Sequence, residues 1–446
     1  MVKEHILADT NIKRLLIKLS VPATIGMISM SLYNVIDAIF VGHGVGPKGI
    51  AGISIVFPIQ MFMLAIGLLI GVGGASLISR SLGAGKIDLA RKTFGTILLS
   101  ILTISGFITI LGLIFITPLL KLFGATTEIY SYAEDYMSII LLGAFFFTFI
   151  VVNNNIIRSE GHAKIAMTSM ILSAGLNIIF DPVFIFGFKL GIKGAALATI
   201  LSQFLVACYI MIYYLSGKST FKLNFTYFRY KYKILKEVFS VGSASFARIV
   251  SGSVILIMLN NILESYGGFT AIAIYGIIHR ILRFIYMPIY GIGQGLQPIV
   301  GYNYGSKRYK YVIKSIKMAI IGATLIISVN FILMMIFFFF FLSIFSNDKE
   351  IIKKGVIALR LVILAVPLVG FQVIGSIVFQ AIGRANQALI LTISRRILFF
   401  IPLLLILPKL FKLKGVWIVT PISTVLSFIL TFILFYRLMS EFAKKT

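Results

Sequence analysis

The chain reads as an all-α integral membrane protein, with twelve transmembrane helices in two pseudo-symmetric six-helix lobes. Three observations carry that expectation: a composition no soluble core absorbs, a run of span-length apolar segments, and landmarks that recur between the two halves. Of the 446 residues 59% are hydrophobic and only 12% charged, whereas soluble domains run near ~45–50% apolar and ~25% charged. Cutting at charged and Gly/Pro clusters leaves segments of ~20 residues or more, each long enough to cross a ~30 Å hydrocarbon layer as a helix. They fall at residues 15–42, 50–79, 92–118, 130–155, 164–187, 193–216, 236–263, 270–300, 311–342, 353–379, 387–408 and 414–437.

The excess of 41 Lys+Arg over 14 Asp+Glu would point to nucleic acid in a soluble protein. Here the cations sit in short loops between spans, and no nucleic-acid partner is expected. Assigning alternate loops to opposite sides gathers most Lys and Arg with the two termini, so both termini are expected in the cytoplasm of a multi-pass cell-membrane protein. The longest loop, 217–236, carries Lys218, Lys222, Arg229, Lys231, Lys233 and Lys236; it reads as a cytoplasmic linker resting on anionic headgroups. The start, with Lys3, Glu4, Asp9, Lys13, Arg14 and Lys18, leads into a full-length span and reads as an uncleaved first helix. A single cysteine, Cys208, rules out an internal disulfide.

The halves repeat. Leu82–Lys86 (LGAGK) matches Tyr304–Arg308 (YGSKR), Phe123 with Glu128 matches Phe345 with Glu350, and Arg158–Ala163 matches Gln380–Ala385, each 222 residues apart; Gly194 pairs with Gly415 at 221. One register across separate loops indicates duplication of a six-helix unit. Six is even, so the copies are parallel repeats about an axis along the membrane normal, with the cleft between lobes as transport path. The expected division is a first lobe at 1–216, a linker at 217–236 and a second lobe at 237–446.

Those loops, the R-x-x-G and Q-x-x-G turns at Arg158 and Gln380, and the stretch GQGLQPIVGYNYG (Gly293–Gly305) resemble the multidrug and toxic compound extrusion (MATE) family along essentially the whole chain. The resemblance implies the two-lobed MATE fold and a secondary active antiporter. Such a protein expels small amphipathic, cationic drug-like compounds in exchange for protons or sodium by alternating access. It needs no cofactor beyond the coupling ion, acts as a monomer in the lipid bilayer and is not an enzyme. A lipid-linked oligosaccharide flippase of the same superfamily is the nearest alternative, because a basic cavity would suit pyrophosphate. A membrane-embedded enzyme or a channel has no motif behind it.

Among the acids, Asp37 and Asp181 alone fall well inside spans, both in the first half. A charged acid there costs at least ~2.5–3.5 kcal/mol, which makes function the default reading and a structural or shallow acid the lesser one. Asp37 lies five residues before Gly42 and Asp181 six before Gly187, so at ~1.5 Å per residue both stand roughly 8 Å inside the same boundary. Thr199 and Tyr136 fall at similar depth, and Asn177 shares the Asp181 face one turn deeper. Asp37, Asp181, Asn177, Thr199 and Tyr136 match a polar cluster in the DinF-like branch of the family, where the resemblance implies cation coupling. An aspartate pair in an apolar lobe can hold a proton and release it when water enters. Asp37, Asp181, Asn177 and Thr199 also offer hard oxygen ligands, a candidate Na+ site, and the residues alone leave both uses open.

The NorM-like branch carries acids in spans 7 and 10, but here Val241–Ile262 has no carboxylate and Val362–Gln380 offers only Gln372 and Gln380. Coupling is therefore expected in the first lobe. The second lobe instead carries Arg248, His279, Arg280, Arg283, Arg395 and Arg396 in or near spans, read mainly as structural cations. The expected substrate surface follows the stripes Gly26–Met30–Tyr33–Asp37, Met170–Ala174–Asn177–Asp181 and Tyr136–Gly143–Phe147–Asn154. Tyr33, Met30, Asn154, Met170 and Gln60 are its candidate contacts, although ordinary packing explains any single Met or Phe better. Pro22 is the candidate hinge, and Asp181-Pro182 a second place for a bend. Other chemistry is excluded: GAGK lacks the phosphate-loop spacing, and the four histidines stand in separate segments without metal-ligand spacing.

Overall fold

The computed structural model describes residues 5–221, 225–343, 345 and 348–445; Lys3, Glu4 and Lys222 lie outside them. Among the described residues there is no strand, and the apolar segments are helices. The spans are α1 (Ile12–Gly44), α2 (Pro47–Gly83), α3 (Ile87–Ile114), α5 (Ala163–Gly187), α6 (Gly191–Leu215) and α9 (Tyr309–Ile336). Two more are bent: α4, Thr127–Leu142 with Ala144–Ser159 at 56°, and α10, Lys349–Ile363 with Val366–Ala381 at 46°. The continuous stretch Tyr232–Gly305 is two spans, α7 and α8, because Gly268 leaves helical geometry at φ 60° and ψ −161°. Ala385–Ala443 is likewise divided into α11 and α12 at Lys412. Among the described residues twelve spans result, as the sequence predicts.

Two expected spans overran. The third and ninth were carried to 118 and 342, but the chain breaks at Phe115 and Phe337 and continues as the short helices Ile116–Leu122 and Phe338–Ser343. At Phe337 the apolar run continues unchanged and hides the break, whereas at Phe115 the following Thr117-Pro118 is its one local signal.

The duplication is written in the backbone. Phe115 and Phe337 share one non-helical conformation (φ −101°, ψ 22° and φ −107°, ψ 27°). Left-handed residues recur in the same register: Gly46 with Gly268, Gly85 with Lys307, Gly161 with Gly383, and Gly191 with Lys412. Lys307 and Lys412 hold conformations that glycine adopts without penalty, so the turn geometry outlasts the residue type that favours it.

By packing, the chain divides into two units, Ile25–Gly242 and Met1–Thr24 with Ser243–Thr446. These differ from the expected boundaries at both ends. In the first unit, the start of α7 lies against α2: a Cβ on Gly242 would stand 1.8 Å from the Leu69 carbonyl oxygen, and one on Gly73 1.9 Å from that of Val238. In the second, the start of α1 meets α8 in the same way, with Gly291 against Thr24 and Gly295 against Ser20. Each first helix of a repeat thus gives its opening turns to one unit and the remainder to the other. α1 runs unbroken through Pro22, and its change of packing partner falls two residues later.

The 217–236 segment is fastened to the first unit. Phe221 is fully buried and stacks on Phe94, Thr96 Oγ1 donates to the Arg229 carbonyl at 3.0 Å, and Tyr227 closes on Gly95. Lys218, Arg229, Lys233 and Lys236 remain exposed, which suits the expected headgroup contact. Its first residues are held by Glu160, a 1% exposed carboxylate beyond the end of α4. That carboxylate accepts from Tyr213 Oη (2.8 Å), Ser219 Oγ (2.7 Å) and the Thr220 amide (2.8 Å). Burial pushes Glu160 up from its ordinary 4.5 to about 7, against the lowering effect of these donors. The docked state therefore binds the proton more tightly than the undocked one. Docking is strongest below pH 4.5, weakens by on the order of 3 kcal/mol as pH rises toward 7, and is flat above. Hydrogen-exchange protection of the Thr220 amide is expected to follow that curve, and to lose its pH dependence in Glu160→Gln.

Candidate ion and substrate site

The site lies within the first unit and is built by α1, α2, α4, α5 and α6. The outer part of α4 packs its inward face into an apolar cluster with Val41, Val56, Met137, Ile140 and Ile185, and Tyr136 is buried in it at 3% exposure. Its hydroxyl accepts a 3.4 Å hydrogen bond from Gln60 Nε2 of α2. On α5, Asn177 and Asp181 project one turn apart, at 2% and 0% exposure. Asn177 Nδ2 donates to Thr199 Oγ1 of α6 at 3.2 Å. Directly after Asp181, Pro182 ends the α-helix and Val183–Gly187 continues as a wider π turn. The change of helix type falls at the place where the sequence expects a bend.

Asp37 is half-buried on α1 and meets Asp181 within hydrogen-bonding reach. Such a bond between carboxyls needs a proton on one of them. With both ionised no donor exists, and both Asp181 oxygens and Asn177 Oδ1 are buried without a partner. Neither aspartate belongs to an ion pair among the described residues. An acid pair without a counter-ion in apolar surroundings is high in energy unless a proton or a metal cation joins it. The donor set of carboxylate, amide and hydroxyl oxygens fits either. No group of three His, Cys, Asp or Glu side chains that could hold a metal stands among the described residues, so a sodium ion here would rely on Asn177, Thr199 and carbonyl oxygens beside the acids.

Of the expected substrate contacts, two belong to the acid cluster. Tyr33 faces Asp37, Tyr136, Asp181 and Thr199, and Gln60 is bonded to Tyr136. The packing of α2 against α4 brings Gln60 to the cluster. Met30 lies two turns from Asp37 along α1. Met170 packs against Gly26, where an added Cβ would stand 2.8 Å from its sulfur. Asn154 stands apart: it accepts from Ser169 Oγ at 2.5 Å, and Ser169 is twelve residues, roughly 18 Å, along the helix from Asp181. The expected single stripe from Tyr136 to Asn154 is broken because α4 bends at Gly143, turning its second half onto another course. The neighbouring amides also find partners: Asn153 Oδ1 takes Tyr214 Oη at 2.8 Å and Asn155 Oδ1 takes Arg158 Nη2 at 3.1 Å.

Twelve spans from a repeated six-helix unit, with an uncompensated acid pair inside one copy, define a duplicated polytopic membrane protein with an ionisable intramembrane site. The chain belongs to the MatE family, whose sequence pattern matches residues 22–183 and again 245–406. The double match is the duplication seen in the backbone. The chain is 32% identical over 405 residues to the multidrug export protein MepA of Staphylococcus saprophyticus, covering 89% of this chain and 87% of the relative. The structure of the MATE multidrug transporter DinF-BH, solved as a complex, is 44% identical, covers 96% of each chain and superposes with a TM-score of 0.90. A crystal structure of MATE in complex with MaL6 is 30% identical, covers both chains completely and has a TM-score of 0.93.

Proposed function

We propose that the chain is a secondary active multidrug efflux antiporter of the cell membrane, exchanging amphipathic cationic compounds for protons or sodium. The observation that carries this reading is the partnerless Asp181 carboxylate facing Asp37 inside the spans. A drug cation and the coupling ion both lower the energy of that pair. Both cannot neutralise it fully at once, so each weakens the other's binding, and that opposition is what exchange requires. Tyr33, Tyr136 and Met30 supply pliable and aromatic surface for varied hydrophobic cations. The named relatives, export proteins and multidrug transporters, support the same activity. On this reading both termini lie in the cytoplasm, the MATE lobes alternate access, and Pro22 is the hinge at which α1, unbroken in this structure, bends during the cycle.

Everted membrane vesicles test the reading. Export of a fluorescent organic cation is expected to run on an imposed proton or sodium gradient and to stop when that gradient is collapsed. Transport indifferent to both gradients would overturn it.

A further inference from the structure

We propose that the C-terminal unit holds an oxyanion-binding site that takes the phosphate or carboxylate head of an amphiphile. Its frame is a stripe on α8, Tyr275, His279, Arg283, Tyr286 and Tyr290, spaced by four, four, three and four residues on one helical face. Arg248 of α7 lies over the Tyr290 ring, 5.1 Å from its centroid. Arg395 and Arg396 come from a π-helical segment of α11, Ser394–Phe400. Arg396 Nη1 donates to the Arg248 carbonyl at 2.8 Å, while Arg395 reaches the Tyr286 hydroxyl. The guanidinium groups of Arg248, Arg283, Arg395 and Arg396 and the His279 ring therefore share one electrostatic neighbourhood.

No carboxylate among the described residues pairs with them. α8 and α11 contain no Asp or Glu, and none of the ion pairs among the described residues includes Arg248, Arg283, Arg395 or Arg396. The Arg248 Nε is buried without a hydrogen-bond partner. Clustered cations inside spans are costly unless an anion joins them. Guanidinium forks beside tyrosine hydroxyls match an oxyanion rather than a halide, because they offer several directed N–H and O–H donors to separate oxygens. Arg283 is exposed and the other groups are half-buried, not sealed. Exposed apolar Phe284, Ile397 and Leu398 flank them in sequence, which suits a ligand with a hydrocarbon body. The cluster is not a remnant of the duplication: at the 222-residue offset Arg248 corresponds to Gly26, and Asp37 to Leu259. The two copies have diverged to opposite polarity. This assignment stands independently of the acid pair and its coupling role.

Binding to the full chain in phosphatidylcholine nanodiscs tests it, with radiolabelled octyl phosphate as probe. Wild type is expected to bind saturably, and Arg248→Gln and Arg395→Gln to weaken binding about tenfold or more. Arg395→Lys and Tyr286→Phe, which keep the charge or the ring, are expected to weaken it only about threefold; they decide the matter if the glutamine variants do not fold. Displacement of the probe when phosphatidylglycerol replaces part of the phosphatidylcholine assigns the site to a lipid headgroup. Undisturbed binding assigns it to a soluble amphiphile. Failure of wild type to bind octyl phosphate and to discriminate phosphatidylglycerol, or equal binding by wild type and all four variants, would overturn the proposal.

Discussion

Asp181→Asn is expected to abolish gradient-driven drug export while leaving the protein as stable as wild type or more so. The pairing of those two outcomes follows from the site. Asp181 is fully buried and its oxygens meet no donor while both acids are ionised; the amide can still donate to Asp37 in place of the shared proton, so no ion pair is lost when the charge goes. An acid at span depth costs roughly 2.5–3.5 kcal/mol, and the isosteric amide removes much of that. On the proposed coupling role, that expense is borne for function and not for stability. The asparagine can still hydrogen-bond, but it cannot release a proton or neutralise a cation, so the exchange step is lost. Asp37→Asn is expected to act in the same direction. Export of a fluorescent cation from vesicles and the melting temperature of the purified variants read the two outcomes separately. Loss of activity with a large loss of stability would instead mark Asp181 as a structural residue.

Gly242→Ala and Gly73→Ala are expected to produce the largest folding defects of any glycine-to-alanine substitution in the first unit. At both positions the intruding Cβ meets backbone carbonyl oxygen, at 1.8 and 1.9 Å, and backbone cannot rotate away as a side-chain end can. Overpacking costs about 1–3 kcal/mol where neighbours yield and more where they cannot. The α2–α7 contact would have to open along its length. Gly106→Ala is the control: an added Cβ there has no atom within 4 Å, and replacing glycine inside a helix gains roughly 0.8–1 kcal/mol. Yield and melting temperature in detergent are expected to fall sharply for the first two and to hold or rise for the third.

Much of this was legible in the chain. The twelve segments, the repeat register and the shared depth of Asp37 and Asp181 follow from hydropathy, spacing and helical rise, because in a membrane each is a direct physical requirement. Other features were not, and each for a stated reason. The break at Phe337 leaves composition unchanged, and the one at Phe115 is marked only by Pro118. The bend at Gly143, which takes Asn154 away from the acids, is one glycine among 39. The exchange of the first turns of α1 and α7 between units depends on tertiary crossings at Gly242, Gly73, Gly291 and Gly295 that no local pattern announces. The arginine cluster was visible as residues but not as a cluster, since α7, α8 and α11 meet only in the fold.

The coupling claim is tested most directly by drug-driven ion flux. In liposomes reconstituted with the protein and lacking any imposed ion gradient, adding an organic cation to one side is expected to drive proton or sodium movement the opposite way. The flux should vanish in the Asp37→Asn, Asp181→Asn double variant. Equal flux in wild type and the double variant, or drug movement in wild type without any proton or sodium movement, would contradict the account.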